Sequence, residues 1–316
     1  MEQEMTGKEE KVSVLVPSYN EEENIPLLLK KFDEVFRQNG IDAELILIDD
    51  GSIDGTYQLA TELSRQYPFL RVIRHRMNQG LTEALKTGFR EASGEILVFY
   101  PADLQYDPQD MPLLIEKLDE GYDLVTGWKK GDYGLKGVTS YFYNALSRWL
   151  FKVDVHDLNS VKAFRKSVSD SITLRKDWHR YLVVLAAESG FKISEVRIPL
   201  YPRKHGKSKF GLLRIPIGIL DLISVKFQMV FMKKPMLLFG SIGLGLFLIG
   251  IGAGIYALYL RFILYQGFRP LLYFVVLSVL AGILFFSFGF LLEVLMTMLE
   301  KLEAIGKGTK RGDVEE

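Results

Sequence analysis

VSVLVPSYNEEENIPLLLKKFDEVFRQNGIDAELILIDDGSIDGT, from Val12 to Thr56, opens on an apolar run, crosses a polar cluster and an amphipathic stretch, and returns to a second apolar run ending in another polar cluster. The near-continuous apolar character of Val12–Pro17 and Ala43–Asp49 predicts strands covered on both faces, as in a parallel sheet. Ile25–Gln38, between them, has helical spacing. The pattern then repeats. Leu70–His75 and Glu95–Tyr100 read as strands, and Asp54–Gln66 and Leu81–Ala92 as helices, with Asp54 and Thr82 as the expected amino-terminal caps. Alternation of this kind implies a doubly wound, mostly parallel α/β sheet. Ligands of such sheets bind outside the carboxyl ends of the strands. Each strand here ends in a polar cluster: SYNEEEN (Ser18–Asn24), DDGSIDGT (Asp49–Thr56), RMNQG (Arg76–Gly80) and PADLQYD (Pro101–Asp107). All of them are expected to line one crevice.

The rest of the chain bounds the setting of that crevice. The sequence has 316 residues, 39 basic and 39 acidic side chains and no cysteine. A net charge of zero lacks the electrostatic footprint of a nucleic-acid binder, and the absence of cysteine excludes disulfides, thiolate metal sites and a cysteine nucleophile. The opening MEQEMTGKEEK is charged and has no signal-peptide apolar run. Toward the other end, Met236–Leu260 carries no charge, and Leu271–Thr297 carries only Glu293, near its end. Each is long enough to cross a hydrocarbon core of roughly 30 Å. The expected organisation is a soluble domain over 1–209, an interfacial amphipathic helix or pair of helices broken near Pro216 over 210–234, a two-helix transmembrane hairpin over 235–300 and a charged tail over 301–316. Lys226, Lys233 and Lys234 before the hairpin, and Lys301, Lys307, Lys310 and Arg311 after it, outnumber Arg261 and Arg269 in the link. That bias places the soluble domain and both termini on the cytosolic side. Glu293 is expected to reach water at the interface. Gly250 with Gly254, and Ser241 with Gly245, are small pairs suited to close helix approach, possible contacts of a homo-oligomer.

VPSYNEEENI, ILIDDGSIDGT, NQGLTEALKTGF and ADLQYDP, in this order, resemble the motifs of the family 2 glycosyltransferases, whose fold is the Rossmann-like GT-A fold. Followed by a membrane hairpin, the series is most similar to the polyprenyl-phosphate branch, the dolichol-phosphate mannose synthase and GtrB type. The resemblance implies that Pro17, Tyr19, Glu21 and Asp50 surround the nucleoside of a nucleotide-diphosphate sugar. It also implies a divalent cation, Mg²⁺ or Mn²⁺, held on the diphosphate by Asp103 and Gln105. The family's first metal aspartate is replaced here by Pro101. Magnesium commonly uses one or two carboxylates with substrate phosphates and water, so a single carboxylate suffices in principle. Asp107 reads either as a second carboxylate or as a helix-entry residue beside Pro108.

The acceptor follows from charge. A sugar hydroxyl must lose a proton as it attacks, which calls for a general base. A lipid phosphate is already an anion and needs cations to hold it near an anionic donor. By resemblance, Lys129, Lys136, Ser140 and Asn144 take the acceptor phosphate, with lysine where the family commonly has arginine. Asp157, Asn159 and Ser160 line a turn before a further strand, and His179-Arg180 begins an amphipathic helix. PRKHGKSKFG (Pro202–Gly211) resembles the branch's diphosphate-binding loop, with Arg203, Ser208 and Lys209 at the matching positions. The expected activity is an inverting, metal-assisted transfer of one sugar to a polyprenyl phosphate, dolichyl or undecaprenyl, without a covalent sugar–enzyme intermediate. Asp103, Gln105 and Arg203 are its expected catalytic residues. Two alternatives stay open at this point: transfer to a lipid or glycan hydroxyl, and a non-catalytic membrane scaffold of the same fold. The Gln-x-x-Arg-Trp motif of polysaccharide synthases is absent.

Overall fold

The computed structural model describes residues 11–130, 145–201, 214–231 and 234–312. The chain divides into two compact units, Met1–Ile215 and Pro216–Glu316. In the first unit a seven-stranded mixed sheet is built from β1 (Val12–Ser18), β2 (Ala43–Asp49), β3 (Leu70–Arg74), β4 (Ile96–Phe99), β5 (Leu124–Lys130), β6 (Lys162–Arg165) and β7 (Ile193–Pro199). Their spatial order is β3-β2-β1-β4-β6-β5-β7. β1 runs parallel to β2 and β4, β2 to β3, and β5 to β7, while β6 is antiparallel to both β4 and β5. The register pairs Phe99, at the end of β4, with Lys162, at the start of β6. The segment leading into β6 therefore lies at the same edge of the sheet as the loops after the parallel strands.

The helices follow the apolar spacing of the sequence. α1 (Ile25–Asn39) buries Ile25, Leu28, Leu29, Phe32, Val35 and Phe36, one face at three- and four-residue intervals. Pro26 sits in its first turn, where a missing N–H costs nothing, and Gly40 ends it with φ 63°, its N–H donating to the Phe36 carbonyl. Phe32 stands edge-on to Tyr100 with ring centroids 5.2 Å apart, fixing α1 against the end of β4. Full burial of a ring of this size contributes about 1.5–3 kcal/mol. α2 (Thr56–Leu63), α3 (Leu81–Glu91) and α4 (Met111–Asp119) complete the expected alternation. Beyond β5, residues 145–151 form α5, followed by α6 (Lys166–Ser171), a 3₁₀ turn at Trp178–Tyr181 and α7 (Leu182–Glu188).

One buried carboxylate serves the sheet itself. Glu44 accepts from Ser13 Oγ, Ser93 N and Ser93 Oγ, each at 2.7 Å, and from Arg71 Nη1 at 3.1 Å. Burial alone would raise its pKa, but these donors outweigh burial and push it down to about 2.

Both expected caps move. The Asp54 carboxylate does accept from Thr56 N at 3.0 Å, but from one position before the cap residue Gly55. Thr82 lies inside α3, whose cap is Gly80, and its hydroxyl is 3.1 Å from His179 Nδ1.

α8 (Arg214–Phe231) is one continuous helix that starts two residues before Pro216. Pro216 falls in its first turn, where its ring displaces no hydrogen bond. A short π-helical turn at Met236–Gly240 leads into α9 (Ser241–Phe262), and α10 runs from Arg269 to Gly312, carrying helix into the expected tail. Met236–Phe262 and Arg269–Leu299 are long and apolar enough to cross a membrane. α9 and α10 meet backbone to backbone. A Cβ on Gly243 would stand 2.5 Å from Phe286 N, and one on Gly282 would stand 2.6 Å from Phe247 N. Gly250 faces Val279 and Ser278 in the same seam, so it serves the hairpin and is not spare for another copy. The Glu293 carboxylate, half-exposed, also has a backbone partner. Its Oε2 accepts from Met236 N at 3.1 Å, one of the amides that a helix start leaves without an internal partner.

Candidate active site

The loops after β1 and β2 are sewn together by side chains taking backbone amides. Asn20 N donates to Ser52 Oγ (2.9 Å), Ile53 N to Asn20 Oδ1 (3.0 Å), Glu21 N to Thr56 Oγ1 (2.9 Å) and Gly55 N to Glu22 Oε2 (2.8 Å). Asn20 has φ 59°, a left-handed conformation that asparagine tolerates and that turns the chain sharply after β1. Pro17 and Tyr19 are half-buried beside this turn, and Glu21 accepts from Asn24 Nδ2 at 2.6 Å. Asp50 ties in the loop after β3. It is 4% exposed; its Oδ1 accepts from Gln79 N (2.9 Å) and lies 2.7 Å from His75 Nδ1, and its Oδ2 accepts from Gly80 N (2.8 Å). A carboxylate only accepts here, so Nδ1 carries the His75 proton, and Nε2 lies 3.0 Å from Thr87 Oγ1. Gly51, with φ 70°, is required where these loops cross: a Cβ would stand 2.5 Å from the Met77 carbonyl carbon.

The loop after β4 carries Asp103 and Gln105. Asp103 Oδ1 accepts from Gln105 N at 3.2 Å, and Leu104 between them is a non-glycine residue at φ 56° with its side chain in the core. That strained position sends Leu104 inward and leaves Asp103 and Gln105 only partly buried on either side. Among the described residues no group of three or more His, Cys, Asp or Glu side chains is placed to hold a metal ion. The donor set here is one carboxylate and one amide. It fits a hard cation shared with substrate phosphates and water, and does not fit one caged by protein alone. Asp107 is a helix-entry residue: it accepts from Gln109 N at 3.2 Å and pairs with Lys31. Asp110, behind it, is pushed up to about 6 by burial and by Asp107, against the pull of Lys31.

A second group of polar side chains lies between β4, β5 and β6. Lys129, near the end of β5, is 3.1 Å from Asp157 Oδ2 and donates to the Asn159 carbonyl at 3.3 Å. Burial opposes its charge, but Asp157 and the Tyr106 phenol outweigh burial and hold its pKa above the ordinary lysine value. Asp157 Oδ1 accepts from Asn159 N at 2.8 Å, and its carbonyl accepts from Thr126 Oγ1 at 3.2 Å. Next to it, His156 Nδ1 is 2.5 Å from Glu195 Oε1, and the imidazole stacks on Trp128 with centroids 3.8 Å apart. Arg197 covers a Trp128 face at 4.4 Å, so the segment before β6 is clamped to β5 and β7. His179, half-buried beside Thr82, is pushed down to about 3 by desolvation and the Arg180 and Lys162 charges.

Sequence reasoning brought Asp103 with Gln105, and Lys129 with Asp157, to one edge of the sheet. Lys136, Ser140, Asn144, Arg203, Ser208 and Lys209 lie outside the described residues. It missed Lys162, Tyr106, the His75–Asp50 pair and the His156–Glu195 clamp. A lysine opening the short apolar strand Lys162–Phe164 was a signal for the first; the others depend on contacts between distant segments.

Residues 13–170 match Glycosyl transferase family 2, half of the chain. The chain belongs to this family. Within it, the chain is 32% identical over 294 residues to dodecaprenyl-phosphate galacturonate synthase of Rhizobium johnstonii, covering 90% of this chain and 87% of that protein. It is 35% identical over 167 residues to dolichol-phosphate mannosyltransferase of Pyrococcus furiosus, covering 53% of this chain and 47% of that protein. The fold is that of glucosyl-3-phosphoglycerate synthase from Mycobacterium tuberculosis, solved with Mn²⁺, UDP-glucose and phosphoglyceric acid. That match has a TM-score of 0.54 at 20% identity, over 69% of this chain and 79% of the other. The family 2 chain described here is thus a glycosyltransferase built on a GT-A-like sheet.

Proposed function

We propose that this glycosyltransferase moves a single sugar from a nucleotide-diphosphate sugar to a polyprenyl phosphate, with inversion, at the cytosolic face of a membrane. The observation that carries this reading is the state of the basic groups at the crevice. Transfer to a hydroxyl needs a base able to take its proton. Asp50 is closed off by His75 and two backbone amides, and Asp157 by Lys129 and Asn159 N. His179, held near 3, is a poor base at neutral pH. A phosphate oxygen attacks the anomeric carbon without any of them. The anchored hairpin and the similarity to proteins named for dodecaprenyl and dolichol phosphate support a lipid carrier.

In this reading Pro17, Tyr19 and Glu21 border the nucleoside, and Asp50 shapes the loop over it rather than offering a bare carboxylate. Asp103 and Gln105 would hold a divalent cation, Mg²⁺ or Mn²⁺, on the diphosphate. Such a cation, when bound, offsets charge on the leaving nucleotide. Arg203, Ser208 and Lys209 are proposed to complete the diphosphate site, and Lys129, Lys136, Ser140 and Asn144 to hold the acceptor phosphate. The test is to incubate the purified full chain with a short polyprenyl phosphate and a panel of nucleotide sugars, with metal or chelator, and to read glycolipid by mass spectrometry. One donor is expected to give a product that chelator abolishes. Silence from every donor with this acceptor would overturn the reading.

A further inference from the structure

Lys162 is 1% exposed, opening β6 beneath the segment that carries Asp157. Its Nζ donates to the Ser160 carbonyl at 2.6 Å and lies 5.6 Å from the centre of the Phe99 ring. An ammonium has three donors to satisfy, and a buried charge persists only where it is matched. The carboxylate whose field favours the charge is that of Asp157, which is also the partner of Lys129. Lys162 makes no ion pair with that carboxylate; its ammonium takes the Ser160 carbonyl, next in the chain to the Asn159 carbonyl that Lys129 takes, so the two lysines flank one turn carrying Asp157. Lys129 reaches the surface, with 24% of its side chain exposed, while Lys162 does not. Beside them the Tyr106 hydroxyl and Ser160 Oγ are buried next to one another and to the Lys129 ammonium.

The groups facing Lys162 come from several elements. β5 brings Lys129, the segment before β6 brings Asp157, and the 3₁₀ turn brings His179; Tyr106, from the loop after β4, acts on Lys129, and Arg180 on His179. His179 stays neutral above acid pH, so it adds no compensating charge.

We propose that Lys162 is the positioning residue of Lys129: a second ammonium on the turn that carries Asp157 offsets that carboxylate and leaves Lys129 with charge to spare for the acceptor phosphate. This rests on the acceptor reading given above. With both lysines protonated the trio carries one net positive charge; with Lys162 neutral it carries none. Burial, opposed by Asp157 and reinforced by Lys129, brings the Lys162 pKa down to about 7. Acceptor binding therefore favours the protonated form and, by linkage, promotes uptake of a proton above that pH.

The experiment compares wild type, Lys162→Met and the double variant Lys162→Met/Asp157→Asn, as full chains with a short polyprenyl phosphate. KM for acceptor and for donor and kcat are measured separately from pH 6 to 9. Removing a buried charge in favour of an apolar side chain of similar length is not expected to unfold the protein. In Lys162→Met, Asp157 is left to neutralise Lys129 alone. The acceptor KM is expected to rise about tenfold at pH 6.5, with the donor KM within about twofold of wild type. Against wild type, the loss of acceptor affinity from pH 6.5 to 8.5 should flatten. In the double variant, with the competing carboxylate gone, the acceptor KM should return toward wild type. An unchanged acceptor KM, equal rises in both KM values, or no recovery in the double variant would overturn the inference. Should Lys162→Met not fold, Asp157→Asn alone decides it: its acceptor KM at pH 8 must fall to or below that of wild type. A wild-type protein that transfers sugar to no polyprenyl phosphate would overturn the acceptor reading and this inference with it, an outcome distinct from a variant effect.

Discussion

Asp50 and Asp157 are both buried carboxylates at one edge of the same sheet, yet their surroundings differ in kind. Asp50 gathers two backbone amides and an imidazole from the loop after β3, and the loops after β1 and β2 are locked by further side-chain bonds to backbone. Asp157 pairs with Lys129, and its turn is flanked by a second lysine, Lys162, that is fully buried. The first region is complete without a ligand and offers a preset shape. The second holds an excess of positive charge that an anion would complete. In the proposed reading, two anionic substrates are held together by both devices: rigidity where the nucleotide sugar is gripped, stored charge where the acceptor phosphate arrives.

The contrast can be broken at its strongest point first. Asp50→Ala leaves two buried amides and His75 without their acceptor, and is expected to cost about 3–5 kcal/mol of stability and to disorder the loop after β3. Chemical denaturation would measure it; a loss under 1 kcal/mol would mean that the loops hold each other without Asp50.

Asp103→Ala removes the acceptor of Gln105 N and, in the proposed role, the carboxylate that holds the cation. Activity is expected to fall about 10²–10³-fold, with a smaller loss of stability than Asp50→Ala causes. Full activity at low metal would remove Asp103 from the site.

A control lies away from both regions. Glu44 has its pKa lowered in the folded state, so its stabilisation is present above about 4.5 and is lost as pH falls toward about 2. Glu44→Gln should flatten that acid limb, read by thermal unfolding between pH 5 and 2.5; an unchanged limb would shift the acid sensitivity to other carboxylates. The smallest effect is expected in the hairpin. Glu293→Gln keeps an oxygen for Met236 N but loses the charge, and should cost about 0.5–1.5 kcal/mol, measured by unfolding in detergent.

How much of this was legible in the sequence depended on range. The apolar runs at Val12–Pro17 and Ala43–Asp49, and the spacing of Ile25–Gln38, gave strands and a helix that differ from the structure by a residue at most, because burial on both faces and on one face leave different periods. Asp103 and Gln105 could be singled out from the local order of the motif. Thr82 was misread because a hydroxyl near a helix start fits a cap equally well, and its true neighbour, His179, lies 97 positions away in sequence. The bond from Met236 N to Glu293 was not legible, because the two residues lie on different helices of the hairpin. Lys162 could not be placed at all without knowing that β6 inserts between β4 and β5.

The chemistry of the acceptor is the central claim, and one competition tests it most directly. The purified protein would be given its preferred nucleotide sugar with equal amounts of a polyprenyl phosphate and the polyprenol of the same chain length, and products would be separated by mass. Glycosylated polyprenyl phosphate alone is the predicted result. Glycosylated polyprenol would contradict it, because a hydroxyl would then have found a base that neither Asp50, Asp157 nor His179 is arranged to be.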